Sequence, residues 1–267
     1  MPALRNLGLR LRSRLAFPAL AVAMGLSTLL VGLDHTRYLL EATGTRAAIA
    51  AASTTNEIDS TATVAAQPAD SVPVASTVAF DTTFQHSTID SWVHRFTTSL
   101  RGEFTQSLTR MDKYSSMITG KLDAHDMPHE LIYLAMIESD FNPTAKSKVG
   151  AVGMWQFMST TARSLGLTVK GHTDQRKNPA QETEAALTYL SSLHDQLGSW
   201  YLAAAAYNSG ASTVQKALMK VTGRTQGTDE DFFRILPELP KETQAYVPKL
   251  IAAARVGSAP AQYGIGN

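Results

Sequence analysis

From Trp92 to Ile118 large side chains with apolar bodies return every three or four positions: Trp92, Phe96, Leu100, Phe104, Leu108, Met111, Tyr114 and Ile118. A half-buried strand would alternate with a period of two, so this spacing predicts one long amphipathic helix. Beyond it, Pro128 stands where a helix can begin without losing a hydrogen bond, with Asp126 close by as its cap. Asn142 before Pro143 sets the latest end of that second helix. A loop with Gly150 and Gly153 leads to a short helix ending near Gly166. Asn178, Pro179 and Gln181 read as a capping-box start, and Gly198 as the matching stop. Four more helices are predicted over 200–208, 211–221, 229–235 and 240–256. No alternating strand pattern occurs. The predicted fold class is all-α, with one domain over residues 84–258 and a short tail over 259–267.

The first 83 residues read differently. Arg5, Arg10, Arg12 and Arg14 precede an uncharged apolar run over 15–33. Its length approaches the roughly 20 residues of a membrane span and exceeds the roughly 7–15 of a cleavable signal core. Basic residues on the N-terminal side predict export of everything after residue 33. Residues 1–40 are then either a signal anchor, leaving the protein on the periplasmic face of the inner membrane, or a signal peptide that releases it to the periplasm. Residues 41–83, rich in Ala, Ser and Thr with Pro68 and Pro73, are expected to be a flexible linker. A net charge of +1 gives no pull toward nucleic acid. With no cysteine, disulfides, thiol catalysis, lipidation at an N-terminal cysteine and cysteine metal sites are excluded. His125 and His129 are four apart, but Pro128 lies between them and no third ligand is near, so neither metal nor cofactor is expected.

On the second predicted helix one polar residue breaks the rule. Leu131, Leu134, Ala135 and Glu138 share a face at steps of three and four, and only the last is charged. A carboxylate on a core-facing stripe is costly to bury as an anion, and desolvation raises its pKa toward the range of a general acid. Pairing with a buried arginine, or capping a neighbouring helix, would be the purely structural alternative. Enzymes that cut sugars with two carboxyl groups hold them about 5–5.5 Å or 6.5–9.5 Å apart. Asp140 lies roughly 200° further around the helix and Glu130 about 12 Å back along its axis. Neither is a local partner, which leaves Glu242 as the best candidate for a second carboxylate.

Several segments carry a resemblance. Met127-Pro128-His129-Glu130-Leu131, then Glu138-Ser139-Asp140-Phe141-Asn142-Pro143, then Gly150-Ala151-Val152-Gly153-Met154-Trp155-Gln156-Phe157-Met158 occur in order. Ala205-Ala206-Tyr207-Asn208-Ser209-Gly210 and Glu242-Thr243-Gln244-Ala245-Tyr246-Val247-Pro248 follow. Together they resemble the soluble-lytic-transglycosylase catalytic domain over about residues 90–255. The resemblance implies a lysozyme-like helical domain with a groove for peptidoglycan glycan strands. It implies that Glu138 protonates the glycosidic oxygen between N-acetylmuramic acid and N-acetylglucosamine. As a carboxylate, Glu138 would then take the proton from the muramic C6 hydroxyl, closing a 1,6-anhydro ring without water. Ser147 matches a serine near the acid, Gly153 a point of close substrate approach, and Met154 and Gln156 groove-lining positions. Tyr207 and Asn208 match residues facing the acid, and Glu242 a groove position. Two alternatives remain at this level: a goose-type lysozyme-like hydrolase, and a non-catalytic peptidoglycan-binding scaffold.

Overall fold

The computed structural model describes residues 79–266. The apolar run over 15–33 and the expected linker up to residue 78 lie outside the described residues. Among those described, no helix is long and apolar enough to cross a membrane.

The expected all-α architecture is present, with one difference at its start. The stripe from Trp92 to Ile118 runs over three helices: α1 (Ser87–Thr97), α2 (Arg101–Met111) and α3 (Ser115–Ala124). Thr98 leaves helical geometry at φ −125° and ψ −94°, and its hydroxyl bonds back to the carbonyl of His94 at 2.6 Å. Threonine side chains compete for backbone groups in this way. The apolar period survives because the pieces bury the same side: ring centroids lie 4.7 Å apart for Phe96 and Phe104, and Ile118 is buried.

The start of the next helix also differs. Asp126 does not cap it. With φ of +52° it closes α3, its N–H reaching Asp123 O at 3.2 Å while the N–H of Met127 reaches Leu122 O at 3.0 Å. That pair of bonds is a Schellman ending. Pro128 is extended, φ −59° and ψ 136°, and precedes a 3₁₀ turn, His129–Leu131, that runs into α4 (Ile132–Ser139). Asp140 and Phe141 then both adopt left-handed geometry, at φ of 54° and 58°. Such residues cost roughly 1–2 kcal/mol each unless held from outside. Ser107 supplies one hold, donating to Asp140 Oδ1 at 2.6 Å, and Arg110 Nε a second, donating to Asp140 O at 2.8 Å.

Further on come α5 (Ser159–Ser164) and a hairpin of two-residue strands, β1 (Val169–Lys170) and β2 (Thr173–Asp174), which the sequence reading missed because four residues carry no period. Helix α6 (Pro179–Leu197) begins where expected: Asn178 Oδ1 accepts from the N–H groups of Ala180 and Gln181, each at 3.1 Å, and Gly198 ends it at φ 80°. Helices α7 (Trp200–Ser209), α8 (Ala211–Thr222), α9 (Asp229–Ile235) and α10 (Lys241–Ser258) complete the set. Helix α7 is buried along Trp200–Ala206 and lies at the centre, against α6, α8, α9 and α10. A helix apolar all round requires that position. Helix α10 packs on α1, α4 and α7. Its Gly257 faces Tyr133 so closely that a Cβ would overlap the ring.

The same core takes in residues on either side of 84–258. Phe80 is buried beside Tyr201, and Arg255 donates to the carbonyls of Thr82 and Phe84, each at 2.6 Å. Residues 79–83, assigned to the linker on composition, are therefore held at this end. In the tail, Pro260–Tyr263 forms a 3₁₀ turn and Ile265 is buried.

Candidate active site

Glu138 sits on the last turn of α4, with Leu131, Leu134 and Ala135 of the shared face fully buried. Its Oε1 accepts from the hydroxyl of Tyr246 at 2.6 Å. Burial raises the carboxyl pKa to about 7, and the negative charge of Glu242 adds to the rise. The Tyr246 hydrogen bond and the positive charge of Lys249 work the other way, but burial dominates. A carboxyl with these properties can give up a proton near neutral pH and take one back. Among the described residues, neither the arginine nor the cap partner of the structural alternative is found in its hydrogen bonds.

Helix α10 supplies three of the surrounding groups. Glu242, Tyr246 and Lys249 stand at i, i+4 and i+7, one face by helical spacing. Glu242 Oε1 accepts from Asn208 Nδ2 at 3.0 Å, and Asn208 Oδ1 accepts from Thr243 at 2.8 Å. Lys249 Nζ donates to Ile137 O, beside the acid, at 3.4 Å, and lies 5.7 Å from the centroid of Trp92. Burial lowers the pKa of Lys249, and the Glu138 charge resists that fall. Burial raises the phenols of Tyr246 and Tyr207, and next in size is the charge of Glu138. Tyr207, Asn208, Glu242, Tyr246 and Lys249 thus gather around one carboxyl from α7 and α10.

The other expected residues, Ser147, Gly153, Met154 and Gln156, lie in an adjoining loop segment. Ser147 Oγ accepts from the N–H of Ala151 at 2.9 Å, closing a tight turn, and Glu138 is not a partner. Gly153 has φ of +99°, and a Cβ there would overlap Arg176 O and the carboxyl of Glu182. The close approach that requires glycine is therefore to the protein's own interior. Met154 is fully buried, so its side chain belongs to the core. Gln156, left-handed at φ 55°, donates to Gly153 O at 2.6 Å. Tyr207 donates to Trp155 O at 2.8 Å, joining this turn to the residues around Glu138.

Tyr246 and Lys249 beside Glu138, and Glu182 beneath the adjoining turn, are groups that sequence reasoning did not single out. The first two share the helical step of Glu242, a signal that was available. Glu182 sits in the first turn of α6, where an acid normally faces solvent, and nothing local marks it as buried. His125 bonds Glu184 at 2.7 Å and His129 bonds Asp123 at 2.6 Å, so the two imidazoles have separate partners.

Residues 116–229 match the family model described as the transglycosylase SLT domain, a span holding Glu138, Ser147, Gly153, Met154, Gln156, Tyr207 and Asn208. The membrane-bound lytic murein transglycosylase D of Escherichia coli (strain K12) is 36% identical over 157 residues, which cover 58% of this chain and 34% of that protein. The peptidoglycan transglycosylase gp16 of Escherichia phage T7 is 41% identical over 100 residues, 36% of this chain and 8% of that protein. Among solved structures, the 70 kDa soluble lytic transglycosylase of Escherichia coli shares 25% identity over 53% of this chain and 23% of that one, with a TM-score of 0.44. The chain spans about a third of the length of the first of these relatives.

Proposed function

We propose, taking as premise that residues 116–229 carry a transglycosylase SLT domain, that this chain is a peptidoglycan lytic transglycosylase with Glu138 as its acid and then its base. The observation that carries the reading is the Glu138 carboxyl itself: set on a core-facing helix face, raised to about 7, and hydrogen-bonded to a phenol. In the first half of the reaction the neutral carboxyl gives its proton to the oxygen between N-acetylmuramic acid and N-acetylglucosamine. In the second half the carboxylate takes the C6 hydroxyl proton of the muramic sugar, and that oxygen closes on C1. Tyr246 and Lys249 stabilise the carboxylate that links the halves, while burial favours the acid that begins and ends the cycle. An intramolecular hydroxyl needs no second base to activate water, and its proximity alone is worth several kcal/mol.

Glu242 favours a second reading. Its charge reaches Glu138, so a water activated by Glu242 would make the chain a lysozyme-like hydrolase. Export through the arginine-flanked run over 15–33 belongs to the same proposal, since the substrate lies outside the cytoplasm.

Digestion of purified peptidoglycan by the full chain and by Glu138→Gln, with mass spectrometry of the fragments, tests it. Anhydro-muramic ends from the wild type and none from the variant are expected. Reducing ends would establish the hydrolase instead. Binding without cleavage by either protein would leave a scaffold.

A further inference from the structure

Glu182 is fully buried on α6, and the reaction proposed above does not use it. One of its carboxyl oxygens accepts the N–H of Met154 at 2.7 Å and the other that of Trp155 at 3.1 Å. Burial raises its pKa to about 9, against the lowering effect of those two bonds. Each N–H belongs to a planar trans peptide group whose carbonyl points the opposite way. The carbonyl opposite the Trp155 N–H is Met154 O, which accepts from Ser139 Oγ, next to Glu138, at 2.7 Å. The carbonyl opposite the Met154 N–H is Gly153 O, which accepts from Gln156 Nε2 at 2.6 Å. One buried carboxyl therefore stands two hydrogen bonds and one rigid peptide plane from the end of the helix that bears the acid. Gly153 has no Cβ to keep that carboxyl out.

We propose that Glu182 is a positioning residue for Glu138: its two oxygens fix the peptide planes of the 153–156 turn, and those planes fix Ser139 and the end of α4. The inference rests on the reading of Glu138 as the acid. Glutamine is not equivalent, because both carboxyl oxygens keep a lone pair for the two backbone donors even when one is protonated, whereas an amide would set its NH₂ against one of the N–H groups.

The test compares the wild type, Glu182→Gln and Thr183→Val by kcat and KM on soluble glycan strands, by Tm, and by amide hydrogen exchange. Thr183 accepts from the indole of Trp155 at 2.9 Å, so its loss weakens the same contact between α6 and the turn without touching the two backbone bonds. Glu182→Gln is expected to lower kcat about ten- to a hundredfold, the scale of a small misplacement, with KM within about twofold. Exchange at Met154 or Trp155 should quicken, while Thr183→Val should lower Tm and keep kcat within about twofold. Unchanged kcat in Glu182→Gln, or a loss in both variants that follows Tm, would overturn the proposal. If Glu182→Gln does not fold, exchange in the wild type decides: slow exchange at both amides supports the clamp, and exchange as fast as at exposed amides refutes it. A wild type that cuts no glycan would overturn the acid reading of Glu138, whereas the exchange result would still judge the clamp.

Discussion

The hydroxyl of Tyr246 stands 2.6 Å from Oε1 of Glu138, across 108 residues of chain. It joins α4 to α10 side chain to side chain, next to the bond from Lys249 to Ile137 O. Because the phenol donates, it stabilises the carboxylate. Tyr246→Phe should therefore raise the Glu138 pKa further above about 7 and move the alkaline limb of the pH–rate profile upward. A limb that moves downward, measured on peptidoglycan release, would contradict the assigned direction.

Lys249 and Glu242 provide a paired experiment. Lys249→Met removes a charge that lowers the Glu138 pKa, and Glu242→Gln removes one that raises it. The alkaline limbs of the two variants should shift in opposite directions, upward for the first and downward for the second. Shifts of the same sign would show that altered packing, not charge, controls the acid.

Glu138 also makes stability depend on pH. Its folded pKa, about 7, lies above the ordinary 4.5, so the folded state holds the proton more tightly than the unfolded state. The contribution of Glu138 to stability should fall as pH rises from about 4.5 to about 7 and then level off. Glu138→Gln removes that loss, by at most about 3 kcal/mol. Thermal melts should show the variant gaining on the wild type between pH 5 and pH 8.

Gly257 lets α10 lie close against Tyr133 of α4. A Cβ there would overlap the ring of Tyr133, so Gly257→Ala should cost about 1–3 kcal/mol through overpacking. A urea midpoint unchanged from the wild type would show that Tyr133 can move aside.

The candidate site is legible in the sequence where chemistry conflicts with pattern. Glu138 on an apolar stripe was visible, and so were the caps at Asn178 and Gly198, because each obeys a local rule. The break at Thr98 was not visible, since the apolar period passes through it and the choice between turn and helix is tertiary. Asp126 has the residue type of a cap, yet its left-handed backbone closes the previous helix instead. The resemblance points Ser147, Gly153, Met154 and Gln156 toward substrate, and within the chain they contact Ala151, Glu182, the core and Gly153. Glu182 gave no signal at all: its burial depends on a turn 28 residues away.

Glu242, Tyr246 and Lys249 come from one face of a single helix, α10. Rotating that helix by one residue, about 100°, would turn all three from Glu138 together. The operating pH of the site is thus a property of helical phase. A change of that phase would detune the acid without altering any of the groups that tune it.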